Sequence, residues 1–140
     1  IKMQDLELAR LRLREKGLSL VVVKDGKIVF ETESHSIKGF LEAIELLGRE
    51  LAGSSVADRI VGRAVALLFV HFQVSAVLAV VISTEGVRVL EDSNVSYHFE
   101  RCVPNILNQR RNDVCPFEKL ALTLATPEEA YRKLRTVQSS

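Results

Sequence analysis

The chain has 140 residues, of which 47% are apolar and 26% charged, a balance that is typical of one globular domain and argues against a disordered chain. Nineteen basic and eighteen acidic side chains leave a net charge of +1, so the sequence predicts no general nucleic-acid binding. Two cysteines are too few for a disulfide framework, and with only three histidines they leave little material for a metal site.

The hydropathy of the chain predicts neither a membrane span nor a secretory signal. The longest apolar stretch, residues 64–70, is far shorter than the ~20 residues that a span requires. Residues 1–16 are rich in charge rather than apolar. We therefore expect a cytoplasmic protein with no membrane partner.

The first third of the chain predicts a helix, a hairpin and a second helix. Leucines in residues 3–16 follow the spacing of an amphipathic helix that ends at Gly17. Residues 18–24 and 27–33 are β-branched runs separated by Asp25-Gly26, which is typical of a two-residue hairpin turn. Apolar residues in 36–51 then recur at helical spacing, which predicts a helix with one buried face.

The middle of the chain is its most apolar part. Ser54-Ser55 with Asp58 three residues after Ser55 resembles a capping box, so we predict a helix that starts here and continues through the apolar residues 60–70. The valine-rich residues 74–82 have the length and composition of a strand that is covered on both faces.

Shorter elements follow this strand. Residues 83–91 are predicted to form a short helix, and residues 95–99 alternate in the manner of a less buried strand at an edge of the sheet. Residues 101–111 are predicted to be a loop with one helical turn after Pro104.

Two helices are expected to complete the chain. One begins at Cys115-Pro116, where proline occupies the first helical position, and the other begins at the capping box of residues 126–129. The element order predicts a three-layer α-β-α sandwich with a mixed sheet. We assign residues 1–140 to one such domain, with residues 1–17 and 126–140 as its terminal helices.

The first candidate site lies at the predicted helix start around Cys115. As the N-cap, Cys115 would place its sulfur among unpaired N–H groups at the positive end of the helix dipole, which favours a thiolate or a bound anion. Glu118 falls at the third helical position and could reach back to the N-cap. The pair therefore either caps its own helix or forms a functional site, in which Cys115 and Glu118 are the candidate catalytic residues.

The second candidate site is the run from Asp58 to Arg63. Gly62 would lie inside a helix, where glycine is unfavourable by ~1 kcal/mol, so it implies either close packing or an approaching ligand. Arg59 and Arg63 are four residues apart and would share a helix face that could hold a phosphate, although Asp58 could pair with one of them instead. Arg63 must otherwise snorkel or pair, because its neighbours in the sequence are apolar.

Two further polar residues complete the set of candidate ligand-binding residues. His35 lies at the junction between a strand and a helix, where a pocket could open, and Asn108 lies beside Arg110 and Arg111 in the predicted loop. No pair of histidines has the spacing of a helical metal site, and the chain has no Cys-x-x-Cys or Gly-rich phosphate loop. The sequence therefore predicts no metal site.

Two motifs resemble the signatures of a small prokaryotic family, a domain of unknown function with a cytidine-deaminase-like fold. They are residues 57–64, Ala-Asp-Arg-Ile-Val-Gly-Arg-Ala, and Cys115-Pro-Phe-Glu118 with Asn108 upstream. The resemblance extends from about Leu18 to Leu122. The zinc deaminases of this fold begin one helix with His/Cys-x-Glu and the next with Pro-Cys-x-x-Cys. Here the corresponding positions read Asp58-Arg59-Ile60 and Cys115-Pro-Phe-Glu118.

The resemblance implies a deaminase-like pocket without zinc or hydrolytic deamination. One cysteine with carboxylates is a poor zinc site, and we expect no other cofactor. Converging helix N-termini and Arg63 would favour an anionic ligand, and the fold suggests a nucleotide or a nucleotide sugar. Two alternatives remain open: an enzyme with Cys115 as nucleophile, and a structural or regulatory homo-oligomer in which the edge strand at residues 95–99 pairs across subunits.

Overall fold

The computed structural model describes residues 2–35 and 37–137. It places five strands in one sheet. They are β1 (Leu20–Lys24), β2 (Lys27–Thr32), β3 (Ser55–Val61), β4 (Ala76–Ser83) and β5 (Ser96–Val103). The strand order is β2-β1-β3-β4-β5, in which β1 is antiparallel to both its neighbours and β3, β4 and β5 are parallel. The mixed sheet that the sequence predicts is confirmed.

Six α-helices accompany this sheet in the described part of the chain: α1 (Lys2–Lys16), α2 (Ile37–Leu47), α3 (Arg63–His71), α4 (Thr84–Asp92), α5 (Pro116–Ala121) and α6 (Pro127–Val137). A 3-10 turn, Gly48–Leu51, extends α2. The predicted contributions of Ile1, Ser36 and residues 138–140 to helices lie outside the described residues. None of the helices described is long and apolar enough to cross a membrane.

Helices cover both faces of the sheet, so the predicted three-layer arrangement is confirmed, with unequal outer layers. On one face, α1 packs Ala9 and Leu13 against Val21, Val23 and Ala57 of β1 and β3. The larger core lies on the other face and joins α2, α3 and α4 to the sheet, with α6 packed on α3. Its centre includes Phe40 and Phe69, whose ring centroids are 4.7 Å apart in an edge-to-face arrangement.

The predicted hairpin is present, and its turn has the backbone that the sequence requires. Asp25 and Gly26 have φ angles of 51° and 78°, the left-handed pair that a two-residue turn between twisted strands demands. The predicted buried strand at 74–82, the helix at 83–91 and the edge strand at 95–99 correspond to β4, α4 and β5. Ser83 caps α4, since its hydroxyl accepts a hydrogen bond from the Gly86 N–H.

The predicted helix that begins at Ser54-Ser55 is wrong. Residues 55–61 form β3, the middle strand of the sheet, and the helix begins at Arg63. Ser55 and Val56 pair with β1 on one side and with β4 on the other. This pairing satisfies the backbone groups that the apparent capping box would have satisfied in a helix. Burial between two strands outweighs the local preference for a helix start.

The loop after β5 also differs from the prediction, because residues 101–103, which were predicted to belong to the loop, are part of β5. No helical turn follows Pro104, and an antiparallel bridge between Leu107 and Val114 closes the loop instead. The two predicted final helices are present as α5 and α6. At the start of α6 the Glu129 N–H donates to the Thr126 hydroxyl, while the Glu129 carboxylate accepts from the Ala125 N–H, one residue before the cap.

Candidate functional site

The start of α3 receives a carboxylate from α5. Glu118, in the first turn of α5, accepts the Arg63 N–H on Oε1 at 2.7 Å and the Ala64 N–H on Oε2 at 2.9 Å. These N–H groups have no partner within α3 and lie at the positive end of its dipole. Glu118 therefore caps α3 across the fold rather than reaching back to the start of its own helix, which was one of the two predicted roles.

Gly62 permits this contact because it has no side chain. A Cβ at Gly62 would lie 2.3 Å from Oε1 and 2.4 Å from Cδ of Glu118, far inside contact distance. The φ angle of Gly62 is −109°, so its backbone is extended and would accept any residue. The sequence predicted that Gly62 lies inside a helix. In the structure Gly62 instead precedes α3. Its absence of a side chain is required for the approach of Glu118.

Arg63 ties the same two helices together in the opposite direction. Its Nε donates to the Ala121 carbonyl at 2.9 Å and its Nη2 to the Leu124 carbonyl at 2.8 Å, at and beyond the last turn of α5. Its Nη1 lies 3.5 Å from Oε1 of Glu85 in α4. Of the predicted possibilities for Arg63, the structure shows pairing, with carbonyl oxygens and one carboxylate.

A small cleft opens beside these contacts at the carboxyl edge of the parallel strands. Its empty volume is about 290 Å³, open solvent included. Arg63, Ser83 and Pro104, which line it, stand at or just after the ends of β3, β4 and β5. Ligands of open α/β sheets characteristically bind outside this edge. Further lining residues are Glu85, Asn105, Ile106, Val114, Glu118 and Leu122.

The cleft has more negative than positive groups. The carboxylates of Glu85 and Glu118 share it with the guanidinium of Arg63. Burial raises the pKa of the Glu118 carboxyl, while the hydrogen bonds from Ala64 and Arg63 oppose that rise. Because the α3 start already holds a carboxylate, a second anion would meet repulsion unless Glu118 withdrew or took up a proton.

The predicted helix face shared by Arg59 and Arg63 does not form, because Asp58 and Arg59 lie in the strand β3. The Arg59 guanidinium donates to the Leu18 carbonyl at 2.6 Å and reaches the Leu13 carbonyl at 3.5 Å, so it ties the end of α1 to the sheet. Asp58 is only 7% exposed, and its Oδ1 accepts the Ile60 N–H at 3.3 Å. Burial without a charged partner raises the pKa of Asp58 to about 8.

The remaining predicted site residues occupy separate positions. Cys115 is the half-buried N-cap of α5, and its side chain makes no capping hydrogen bond. Asn108 braces its own loop, since its Nδ2 donates to Oδ1 of Asn112 at 2.8 Å. His35 is exposed between β2 and α2. The nucleophilic role of Cys115 stays a prediction.

Glu85 is a cleft residue that sequence reasoning missed. It lies in the first turn of α4 and holds both Arg63 and Arg88, the latter at 3.1 Å. Ser83 as N-cap with an acidic residue two positions later was the available signal, and it indicates only a helix start. The contact with Arg63 depends on how α3 and α4 pack and has no local signature.

Comparison with known proteins identifies the class that this fold defines, which is an α/β protein of cytidine-deaminase-like fold. The solved structure of RibD from Acinetobacter baumannii matches with a TM-score of 0.55 and 17% identity, over 89% of this chain and 38% of that one. A dCMP deaminase from cyanophage S-TIM5 matches with a TM-score of 0.50 and 16% identity, over 70% and 95%. At such identities these matches establish the fold alone.

The chain belongs to the DUF1893 family, a domain of unknown function whose profile matches residues 9–137. A DUF1893 family protein from Thermotoga maritima, TM1506, has a crystal structure that matches with a TM-score of 0.89 and 28% identity. The match covers 97% of this chain and 91% of that one. None of the curated proteins matches this chain. The predicted resemblance to a deaminase-like family of unknown function is thus confirmed.

The residues at the two helix starts do not fit the zinc of the deaminases. The helix α3 begins later than predicted, and the residues at its start, Gly62-Arg63-Ala64, offer no metal ligand. At the start of α5, Cys115 and Glu118 are separated in role, with both oxygens of Glu118 directed to backbone N–H groups. Within residues 2–35 and 37–137, no three His, Cys, Asp or Glu side chains are grouped to hold a metal ion.

Proposed function

We propose that this protein is a zinc-independent, deaminase-like binding module whose cleft takes the base of a nucleotide-type ligand. One observation carries the proposal. The Glu118 carboxylate is fixed by two backbone N–H groups and lines a cleft at the carboxyl edge of three parallel strands. A carboxylate oxygen can accept more than one hydrogen bond, so Glu118 retains capacity for a ligand donor.

The charges favour a ligand that enters with a hydrogen-bond donor first. Glu85 and Glu118 outnumber Arg63, and the guanidinium of Arg63 is already engaged by two carbonyls. An exocyclic amine suits this environment, whereas a phosphate at the bottom of the cleft does not. The anionic part of the ligand would therefore remain at the open side, in contrast to the anion-first binding that the sequence had favoured.

The cleft is small and open, since its volume of about 290 Å³ includes open solvent. We therefore expect it to contact one part of a nucleotide rather than to enclose the whole molecule. The choice of a nucleobase among small donors rests on the likeness in fold to a dCMP deaminase, which is an analogy.

The proposed module needs no zinc. The cysteines Cys102 and Cys115 are free, which favours a reducing compartment such as the cytoplasm for this function.

A comparison of cytidine with uridine tests the proposal, since uridine has a carbonyl oxygen in place of the exocyclic amine and offers only one ring N–H, which lies between two carbonyl groups that the carboxylates would repel. We expect cytidine at millimolar concentration to raise the melting temperature and to shift amide NMR signals of residues around Arg63, with weaker effects from uridine. Glu118→Gln should abolish the discrimination, because its amide presents a donor of its own. Glu129→Gln is the matched control, as Glu129 also accepts a backbone N–H but lies outside the cleft. No response to either nucleoside would refute the proposal.

A second candidate function, that of a structural or regulatory subunit with a vestigial pocket, is favoured by a specific observation. The N–H groups of Arg63 and Ala64 and the guanidinium of Arg63 already have partners within the chain. These contacts need no ligand. This role would be favoured if the protein folds stably and associates with its own copies but shows no change in melting temperature or NMR signals with either nucleoside.

A further inference from the structure

The outer edge of β5 is exposed, and the strand carries both aromatic and charged side chains. β5 has one neighbour, β4, and ends the sheet opposite β2. Most of its residues are exposed, and Phe99 is 45% exposed with its ring stacked parallel to that of Tyr97, centroids 6.4 Å apart. Such an edge presents a row of unpaired N–H and C=O groups that can pair with another strand.

The polar side chains of this edge are arranged so that two copies of the strand complement each other, because His98 and Glu100 lie two residues apart on one face of β5 and Arg101 lies on the other face with Tyr97. Glu100 pairs with Arg14 of α1, whereas no ion pair or side-chain hydrogen bond of His98 or Arg101 is found within residues 2–35 and 37–137. We infer that two copies of the chain associate through β5 as a closed two-fold dimer, with antiparallel strands centred on Phe99. This interface is independent of the proposed ligand cleft.

The register centred on Phe99 gives every central side chain a suitable partner. Phe99 faces Phe99 of the second copy, and His98 faces Glu100 of the second copy in both halves of the pair. Tyr97 faces Arg101 of the second copy, a cation–π combination. Directly opposed side chains in antiparallel strands are the contacts that stabilise a sheet.

The neighbouring two-fold registers lack this match. In a two-fold antiparallel pair the axis must pass beside one central residue of each strand, because side chains that lie opposite each other must share a face of the sheet. The register can therefore shift only from one central residue to another. Centring on Glu100 opposes two carboxylates, and centring on His98 leaves Glu100 opposite Ser96 and Arg101 opposite Val95. Pairing of β5 with the other edge strand, β2, would be a heterologous contact and would give rings or open polymers rather than a two-fold dimer.

Cysteine cross-linking tests the register directly, because Cys102 is free and exposed. In the proposed register Ser96 lies opposite Cys102 of the second copy, with Cα atoms about 4.5–5.5 Å apart, within disulfide range. Within one chain the two positions are about 20 Å apart along the strand and cannot be bridged. We expect Ser96→Cys to give a disulfide-linked dimer on mild oxidation, with the 96–102 bridge identified by mass spectrometry.

Two matched variants report the rival registers. Asn94→Cys would be linked efficiently to Cys102 if the strands centred on His98, and His98→Cys if they centred on Glu100. Efficient cross-linking of either variant in preference to Ser96→Cys would overturn the proposed register. A monomer by light scattering at all soluble concentrations, or open polymers, would overturn the dimer itself.

Charge substitution at His98 provides a second test that needs no oxidation. His98→Lys should tighten the dimer and His98→Glu should raise its dissociation constant about tenfold, since each change acts on two cross-strand pairs. Lys27→Glu, at an exposed position of β2, is the control and should leave dimer affinity unchanged. Equal effects of the two His98 substitutions would contradict the pairing with Glu100.

Discussion

Substitution of Gly62 by alanine tests the contact between α3 and α5 most sharply. The three atoms nearest to the added Cβ all belong to the Glu118 carboxyl group, at 2.3, 2.4 and 2.6 Å. The carboxylate must therefore leave, and the N–H groups of Arg63 and Ala64 lose their acceptor. Loss of these two charge-assisted bonds should lower the free energy of unfolding by roughly 2–4 kcal/mol.

A double-mutant cycle separates this effect from any other consequence of the methyl group. Glu118→Ala alone should cost a similar amount, because it removes the same two hydrogen bonds. In the Glu118→Ala background the three atoms nearest to the added Cβ are gone, and the extended backbone at Gly62 accepts alanine. There Gly62→Ala should become neutral or stabilise by about 0.4–1 kcal/mol, through a less flexible unfolded chain.

Urea unfolding of the wild type, both single variants and the double variant measures the cycle. The expected coupling energy is about as large as the cost of either single substitution, well above the ~0.5 kcal/mol within which independent sites add. For a domain of this size the single variants should melt roughly 8–16 °C lower. Additive effects of the two substitutions would show that Glu118 does not rest on Gly62 and would refute the reasoning.

Three other predictions concern groups outside this contact. Asp58 is neutral in the fold up to pH about 8 but ionises near pH 3.8 when the chain is unfolded. The free energy of unfolding should therefore fall as pH rises between these values, by several kcal/mol at most. Asp58→Asn should flatten this dependence in urea unfolding measured at a series of pH values. Elemental analysis of protein purified without chelators should find substoichiometric zinc, and a chelator should leave the melting temperature unchanged; one zinc per chain would contradict the proposal. Thr126→Ala should destabilise the protein by ~1 kcal/mol in chemical unfolding, because the Glu129 N–H loses its cap, and an unchanged midpoint would contradict that role.

Local signals predicted the elements whose conformation is decided locally. Asp25-Gly26 sets a hairpin turn through its own backbone preference, and Cys115-Pro116 sets a helix start because proline suits the first helical position. The central strand β3 was missed for the converse reason. Its hydrogen bonds go to β1 and β4, which are distant in sequence, while Ser55 and Asp58 imitate a helix cap.

The sequence predicted which residues form the candidate site but not which of them contact each other. Gly62, Arg63 and Glu118 were all named from the sequence, and the structure brings them together. The sequence assigned Glu118 to its own helix, since an acidic residue in a first turn usually acts there. Its real partners are the N–H groups of Arg63 and Ala64 in a different helix, and only the packing of the folded chain determines that contact.

The contacts of Glu118 and Arg63 together explain why so short a helix as α5 exists. A helix of six residues is unstable alone. Glu118 joins the start of α5 to the positive end of α3, and Arg63 joins the start of α3 to the carbonyls at and beyond the end of α5. Each contact matches charge to helix dipole. A ligand that displaced Glu118 from α3 would therefore weaken the attachment of α5, so binding of such a ligand at this cleft must be coupled to the order of that helix.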